Sequence, residues 1–208
     1  MLPYFKSSKM IVKTSDDHYL VGKNLNQFHL LGGKKEKLES SFDNLKREVL
    51  EESSYVIDLK KLDSNTYFFS IFDKIIHLSL DNLVFDENYK CFFYIFSTND
   101  ITDNIFKDIK KLMIINRHLI ITKIINEINL TQYFLAAYYL IEKYVITRKK
   151  SFLNSLINLY NYYNISWKNE YYQRINDYSV FLEMETLEIV SIDQLKSNLR
   201  EKNILPFL

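Results

Sequence analysis

Cysteine, tryptophan, proline and glycine are all scarce in this chain of 208 residues, which holds one Cys, one Trp, two Pro and three Gly. A single cysteine excludes a disulfide framework and a cysteine-built zinc site, and fits a reducing compartment. Cys91 opens the apolar run Cys91-Phe-Phe-Tyr-Ile-Phe96 and reads as a buried strand residue. His18, His29, His77 and His118 are scattered without ligand spacing and read as bystanders. Neither sign of charge dominates: 27 Lys and Arg face 26 Asp and Glu, for a net charge of +1. No global field therefore points to nucleic acid or to a membrane surface. Apolar runs fall short of the roughly 18 residues of a membrane span, and the N-terminal stretch lacks a signal-peptide core and cleavage site. The expectation is a cytosolic or nuclear protein with no membrane partner. A hydrophobic content of 47% and an aromatic content of 15% are ample for a core, and the length suits one domain with an elaboration.

Because glycine is so rare, its placement carries information. Gly32 and Gly33 stand together just before a helix-like stretch rich in glutamate, and a glycine pair lets backbone approach a ligand or ion closely. Downstream come Glu39, Arg47, Glu48, Glu51 and Glu52. Glu48, Glu51 and Glu52 are spaced i, i+3 and i+4, which on a helix gathers them within a fan of about 100°. Carboxylates so close repel unless a cation neutralises them, and all-oxygen ligation suits Mg²⁺ or Mn²⁺. Phe42, Leu45 and Val49 form the adjoining apolar stripe, so one face can pack while the next holds metal. Ser40 or Ser41 can cap the helix, with Asp43 in its first turn. Without the glycine pair and Arg47, the same carboxylates would read as a solvated acidic face.

Along the chain, strands are expected at Met10–Lys13, Tyr19–Lys23, Gln27–Leu31, Tyr55–Leu59, Thr66–Phe72, Ile75–Leu80 and Cys91–Phe96, with a turn at Ser15 to His18. A helix spans about Ser41–Ser53. Two further strands are expected at Tyr178–Met184 and Leu187–Val190, then a last helix from Ile192 to about Arg200, opened by the capping box Ser191-Ile-Asp-Gln194. Residues 101–177 read differently. Ile105–Asn129, Gln132–Arg148 and Ser151–Tyr163 contain no proline or glycine and carry apolar residues at helical spacing, so a mostly helical insertion is expected. Between Ile105 and Lys150, nine Lys or Arg stand against three acidic residues, leaving the rest of the chain net acidic. Such a lobe can hold a polyanion such as RNA, or its charges can simply solvate helix surfaces. The aromatic stripe Tyr160, Tyr162, Tyr163, Trp167, Tyr171 and Tyr172 can stack a base or fill a core.

Residues Gly33 to Tyr55 resemble the Nudix box, G-x5-E-x7-R-E-U-x-E-E-x-G-U with U apolar. Gly33, Glu39, Arg47, Glu48, Glu51 and Glu52 fall at the fixed spacings, Val49 and Tyr55 fill the U slots, and Ser54 replaces the last glycine. Serine there must either strain or take another exit from the helix, and Ser54→Gly is expected to be neutral or slightly stabilising. The stretch His29-Leu-Leu-Gly-Gly-Lys34 through Glu-Glu-Ser is most similar to the mRNA-decapping Nudix enzymes of poxviruses and other large DNA viruses. The resemblance covers about 1–100 and 178–202.

That resemblance implies a single Nudix domain over 1–208, an α/β/α sandwich with a mixed β-sheet, interrupted at about 101–177 by the basic helical insertion. It implies Mg²⁺- or Mn²⁺-assisted hydrolysis of a pyrophosphate linkage by an in-line water. Glu48, Glu51, Glu52 and a carbonyl of Gly32 or Gly33 are the implied metal ligands. Glu48 is also the implied water-activating base, while Arg47 orients a box carboxylate and Glu39 supports it. A further carboxylate from outside the box has four candidates: Asp100, Asp103, Glu183 and Glu185. Arg148, Lys149 and Lys150, the densest run of charge in the insertion, are the candidate RNA-binding residues. Three readings remain open. One is an mRNA-decapping enzyme releasing 7-methyl-GDP, in the host cytoplasm if viral. Another is a small-molecule pyrophosphatase for ADP-ribose, dinucleoside polyphosphates or NTPs. The third is an inactive binding module.

Overall fold

The computed structural model describes residues 4–14, 17–163 and 169–207, so Trp167 and the expected turn at Ser15 and Asp16 lie outside the described residues. Strand β1 (Ser7–Thr14) organises the sheet. Its alternation sends Met10 and Val12 to one face, where they meet Leu45 and Val49, and Ile11 to the other, where it meets Leu195 and Leu199. One edge pairs in parallel with β8 (Cys91–Thr98) along the full length, from Ser7↔Cys91 to Thr14↔Thr98. The opposite edge is shared. Ser7–Met10 pairs antiparallel with β4 (Leu31–Lys34), and Val12–Lys13 pairs with β2 (His18–Asn24). Beyond β8 the sheet continues through β7 (Lys74–Asp86) and β6 (Thr66–Ile71) to β5 (Asp58–Lys61). Strands β3 (Gln27–His29) and β9 (Thr186–Ser191) both pair with β2. The architecture is α/β with a mixed sheet.

Helix α1 (Ser41–Glu52) starts at Ser40, whose Oγ accepts from the Asp43 amide at 3.1 Å. Leu45 and Val49 are wholly inaccessible against the sheet, and Phe42 packs beside them. On the other face lies α6 (Ile192–Asn198), opened by the expected capping box of Ser191 and Gln194. Cys91 is buried on that side, as its apolar surroundings suggest.

Four helices fill the insertion: α2 (Asp103–Glu127), α3 (Phe134–Thr147), α4 (Lys150–Tyr162) and α5 (Asn169–Ser179). Helix α2 belongs to two cores. Ile109 and Met113 pack with the sheet, whereas Ile121, Ile124 and Ile125 pack with Ile141, Leu156, Tyr160 and Ile175 in a core of the lobe. Tyr160 is fully buried and donates its hydroxyl to the Ile128 carbonyl. The core-filling role therefore holds for Tyr160 and for its neighbour Tyr171.

Several elements depart from the sequence-based expectation. Gln27–Leu31 is two strands, with Gln27–His29 paired to β2 and Leu31 paired to β1. The chain crosses between pairing partners there, and the Leu30 amide donates to Glu201 at 3.3 Å. Strand β7 runs on to Asp86 through a register shift between Leu80 and Asn82. Ser54 and Tyr55 hold left-handed φ values of 56° and 63°, so the strand expected from Tyr55 begins at Asp58. Tyr178–Met184 is not a strand: α5 continues through Ser179 into a 3-10 turn, Val180–Leu182. Leu182 is drawn into the lobe core and overrides the strand preference of its aromatic neighbours.

Because α2 spans both cores, the lobe and the sheet should unfold together. Ile141→Ala, deep in the lobe, is expected to cost about 2–5 kcal/mol, with one transition in urea by both far-UV and near-UV circular dichroism. Two separated transitions would show that the lobe folds on its own.

Candidate functional site

Between the glycine turn and the lobe opens a cleft of about 1160 Å³. Gly32, Gly33, Arg47, Glu48, Glu51 and Glu52 line one side, and Arg148, Asn176, Phe181 and Glu183 line the other. Helix geometry gathers the α1 carboxylates, and the β1–β4 pairing brings the glycines against them.

Arg47 is the hub. Its Nε and Nη2 donate to the two carboxylate oxygens of Glu39 at 2.8 and 3.2 Å, and Nη2 also donates to the Lys34 carbonyl at 2.9 Å. Nη1 reaches Glu51 at 2.9 Å and Glu48 at 3.0 Å. Glu39 also accepts from the Glu36 amide at 2.9 Å, so it holds Arg47 from outside the cleft. The bond from Arg47 keeps the Glu39 carboxyl below its ordinary range, and Glu39 in turn raises the guanidinium. Glu52 is turned inward and accepts from the Gly32 amide at 2.7 Å. Burial pushes Glu52 well above the ordinary carboxylate range, raises Glu51, and lifts Glu48 to about 7. Arg47 opposes the shift at Glu48 and Glu51, and Lys9 that at Glu52, yet all three carboxyls remain raised.

Both glycines are dictated by these contacts. Gly32 sits at φ 126°, and a Cβ there would lie 2.2 Å from the Ser8 carbonyl oxygen. At Gly33 a Cβ would fall 2.2 Å from a carboxylate oxygen of Glu48. The Gly32 carbonyl accepts from Lys9 Nζ at 3.2 Å, and Lys9 is paired with Glu201 at 3.1 Å.

The donor set fits a hard divalent cation: three carboxylates short of positive charge and a glycine carbonyl now satisfied by an ammonium. Among the described residues, no three His, Cys, Asp or Glu side chains already close around one point. The carboxylates are instead turned onto Arg47 and the Gly32 amide.

Of the four carboxylates proposed from outside the box, Glu183 lines the cleft, and its charge bears on Glu48, Glu51 and Glu52. Asp100 instead accepts from the backbone amide of His77 at 2.9 Å and meets its ring at 3.1 Å. Asp103 sits exposed in the first turn of α2, and Glu185 leads into β9 with its amide on the Lys23 carbonyl. The basic run splits. Arg148 lines the cleft and is held by Ser179 at 2.9 Å and Glu183 at 3.3 Å, while Lys149 and Lys150 are exposed and absent from the described lining. Arg117, counted in the basic excess, is 5% exposed and structural. Lys110 is paired with Glu188.

The cleft also contains residues the sequence did not single out, among them Lys9, Lys35, Arg200, Glu201 and His29. His29 is buried in the lining, and burial lowers its pKa. Lys9 and Lys13 flank the apolar run Met10–Val12 of β1, and only Lys9 lines the cleft; nothing local marked Glu201. No protein-family model matches the chain, and no curated protein sequence matches it. Among the described residues, no helix is long and apolar enough to cross a membrane.

The two glycines should respond differently to a methyl group. Gly32→Ala clashes with backbone at a left-handed φ and is expected to cost roughly 2–4 kcal/mol in urea unfolding. Gly33→Ala meets only a movable side chain and should stay within about 1 kcal/mol of the parent. Equal losses would mean that the Gly33–Glu48 approach is rigid.

Proposed function

We propose that the chain is a Nudix-type hydrolase that cleaves a pyrophosphate linkage in a nucleoside diphosphate derivative with Mg²⁺ or Mn²⁺. The observation that carries this reading is the set of under-neutralised carboxylates, Glu52 buried and Glu48 and Glu51 half-buried, facing a glycine turn in a cleft of nucleotide size. The Nudix α/β/α sandwich is part of the proposal, supported by a mixed sheet with α1 on one face and α6 on the other.

Glu48, Glu51, Glu52, the Gly32 carbonyl and Glu183 would hold the cation. When bound, it supplies charge neutralisation at the phosphates and a more acidic water. Glu48, placed in the cleft by Arg47, would accept the proton of the attacking water at a carboxylate oxygen left free by the cation. Attack in line with the bridging oxygen breaks the P–O bond, and the second phosphate leaves. Arg47 fixes the orientation of Glu48 and Glu51, and Glu39 fixes Arg47. Lys34, Lys35 and Arg200 line the cleft, where they offset phosphate charge.

The box variant supports the 5′ cap of mRNA as substrate. A specific observation favours the second reading, a small-molecule nucleotide pyrophosphatase. Arg117 is buried, Arg148 is engaged by Glu183, and Lys149 and Lys150 stand outside the described lining, which weakens an RNA path over the lobe.

Product analysis on cap-labelled RNA, ADP-ribose and NTPs, with Mg²⁺ and then Mn²⁺, tests both. Cleavage of at least one substrate is expected, and Glu48→Gln or Glu52→Gln should lower the rate by about 10²–10⁴ while the protein stays folded. Near-parental turnover by either variant would remove these roles. No cleavage of any substrate by the parent would favour a binding module.

A further inference from the structure

The segment carrying Glu183 is irregular, and side chains from three other elements hold its backbone. Ser54 Oγ donates to the Phe181 carbonyl at 2.7 Å, and Asn24 Nδ2 donates to the Glu183 carbonyl at 2.9 Å. Arg117 Nη1 donates to the carbonyls of Met184 at 2.8 Å and Glu185 at 2.7 Å. Helix α2 holds both ends of this arrangement, because Asn116, adjacent to Arg117, donates to the Ser54 carbonyl at 3.1 Å. The Tyr55 ring packs on Phe181 with centroids 4.2 Å apart. Ser54 itself is fully buried and held at φ 56°, a conformation that favours glycine. Its place at the end of the glutamate-bearing helix therefore follows from its hydroxyl and not from backbone preference.

We propose that Ser54 and Arg117 are positioning residues that hold Glu183 against the α1 carboxylates, so that the inserted lobe completes the cation site. The inference rests on the cation-binding reading above. Glu183 carries the same sign as Glu48, Glu51 and Glu52, and repulsion would drive an unrestrained side chain away. Arg148 draws its carboxylate toward the lobe at 3.3 Å, and the held carbonyls keep its backbone at the cleft wall. The buried Arg117, balanced by Glu142 at 3.6 Å, thereby has a purpose that an RNA-facing charge would not. Fixing a ligand through its backbone lowers the cost of gathering like charges when a cation arrives.

The test is Mn²⁺ binding by calorimetry with the full chain and no substrate, beside thermal unfolding in chelator. Ser54→Gly tolerates the left-handed φ and removes the hydroxymethyl group, and with it the bond to the Phe181 carbonyl. It should keep its melting midpoint and weaken Mn²⁺ binding about tenfold, as should Glu183→Gln; Arg117→Lys should weaken binding likewise and also lower the midpoint, because buried donors are lost. A purely structural role would move the midpoint and spare the affinity. Weaker binding by Glu183→Gln and Glu52→Gln, with parental binding by Ser54→Gly, would overturn the positioning role alone. Parental binding by Glu52→Gln would overturn the cation-site reading itself.

Discussion

One guanidinium is set against a group of buried and half-buried carboxylates, and much of the local architecture follows from that imbalance. Arg47 spends its donors on Glu39, Glu48, Glu51 and the Lys34 carbonyl, leaving Glu52 to the Gly32 amide and Glu183 to Arg148. Burial raises the proton affinity of Glu48, Glu51 and Glu52, so in the absence of further positive charge the site resists full ionisation. A protein that keeps so many desolvated acids on one helix gives up stability unless something else neutralises them. That is the physical reason to read a cation site here.

The surrounding elements serve the same constraint. The glycine turn is as close to α1 as backbone permits, with Ser8 on one side and the Glu48 carboxylate on the other. Lys9 lies behind it, bound to the Gly32 carbonyl and to Glu201 from the C-terminal segment. Across the cleft, the lobe is fastened to the sheet by α2, which shares both cores and also holds the backbone on either side of Glu183. The lobe thus contributes a wall to the cleft and not merely charge to the surface.

Much of the α1 side was legible because it depends on short-range spacing. Glu48, Glu51 and Glu52 share a face by helical periodicity, Ser40 caps by chemistry, and Gly32–Gly33 stands out by rarity. The sheet strands were visible through alternation, but their ends were not. Leu30 lies between a strand paired to β2 and one paired to β1, and an apolar pattern does not show where the partner changes. The Glu183 segment escaped for a different reason: its aromatic residues favour a strand, while its carbonyls are satisfied by Ser54, Asn24 and Arg117, all remote in sequence. Charge counting left two readings of the lobe open, because a net excess does not say which cations face a cleft: Arg117 is buried and Lys110 is paired.

The central claim is that the α1 carboxylates exist to hold a divalent cation. Anomalous diffraction from crystals soaked in Mn²⁺ tests it most directly. The account predicts a manganese peak within ligation distance of Glu48, Glu51 or Glu52 and the Gly32 carbonyl, with Lys9 Nζ moved off that carbonyl. Occupied manganese elsewhere on the molecule, with Arg47 still bridging Glu48 and Glu51 and no peak in the cleft, would contradict it.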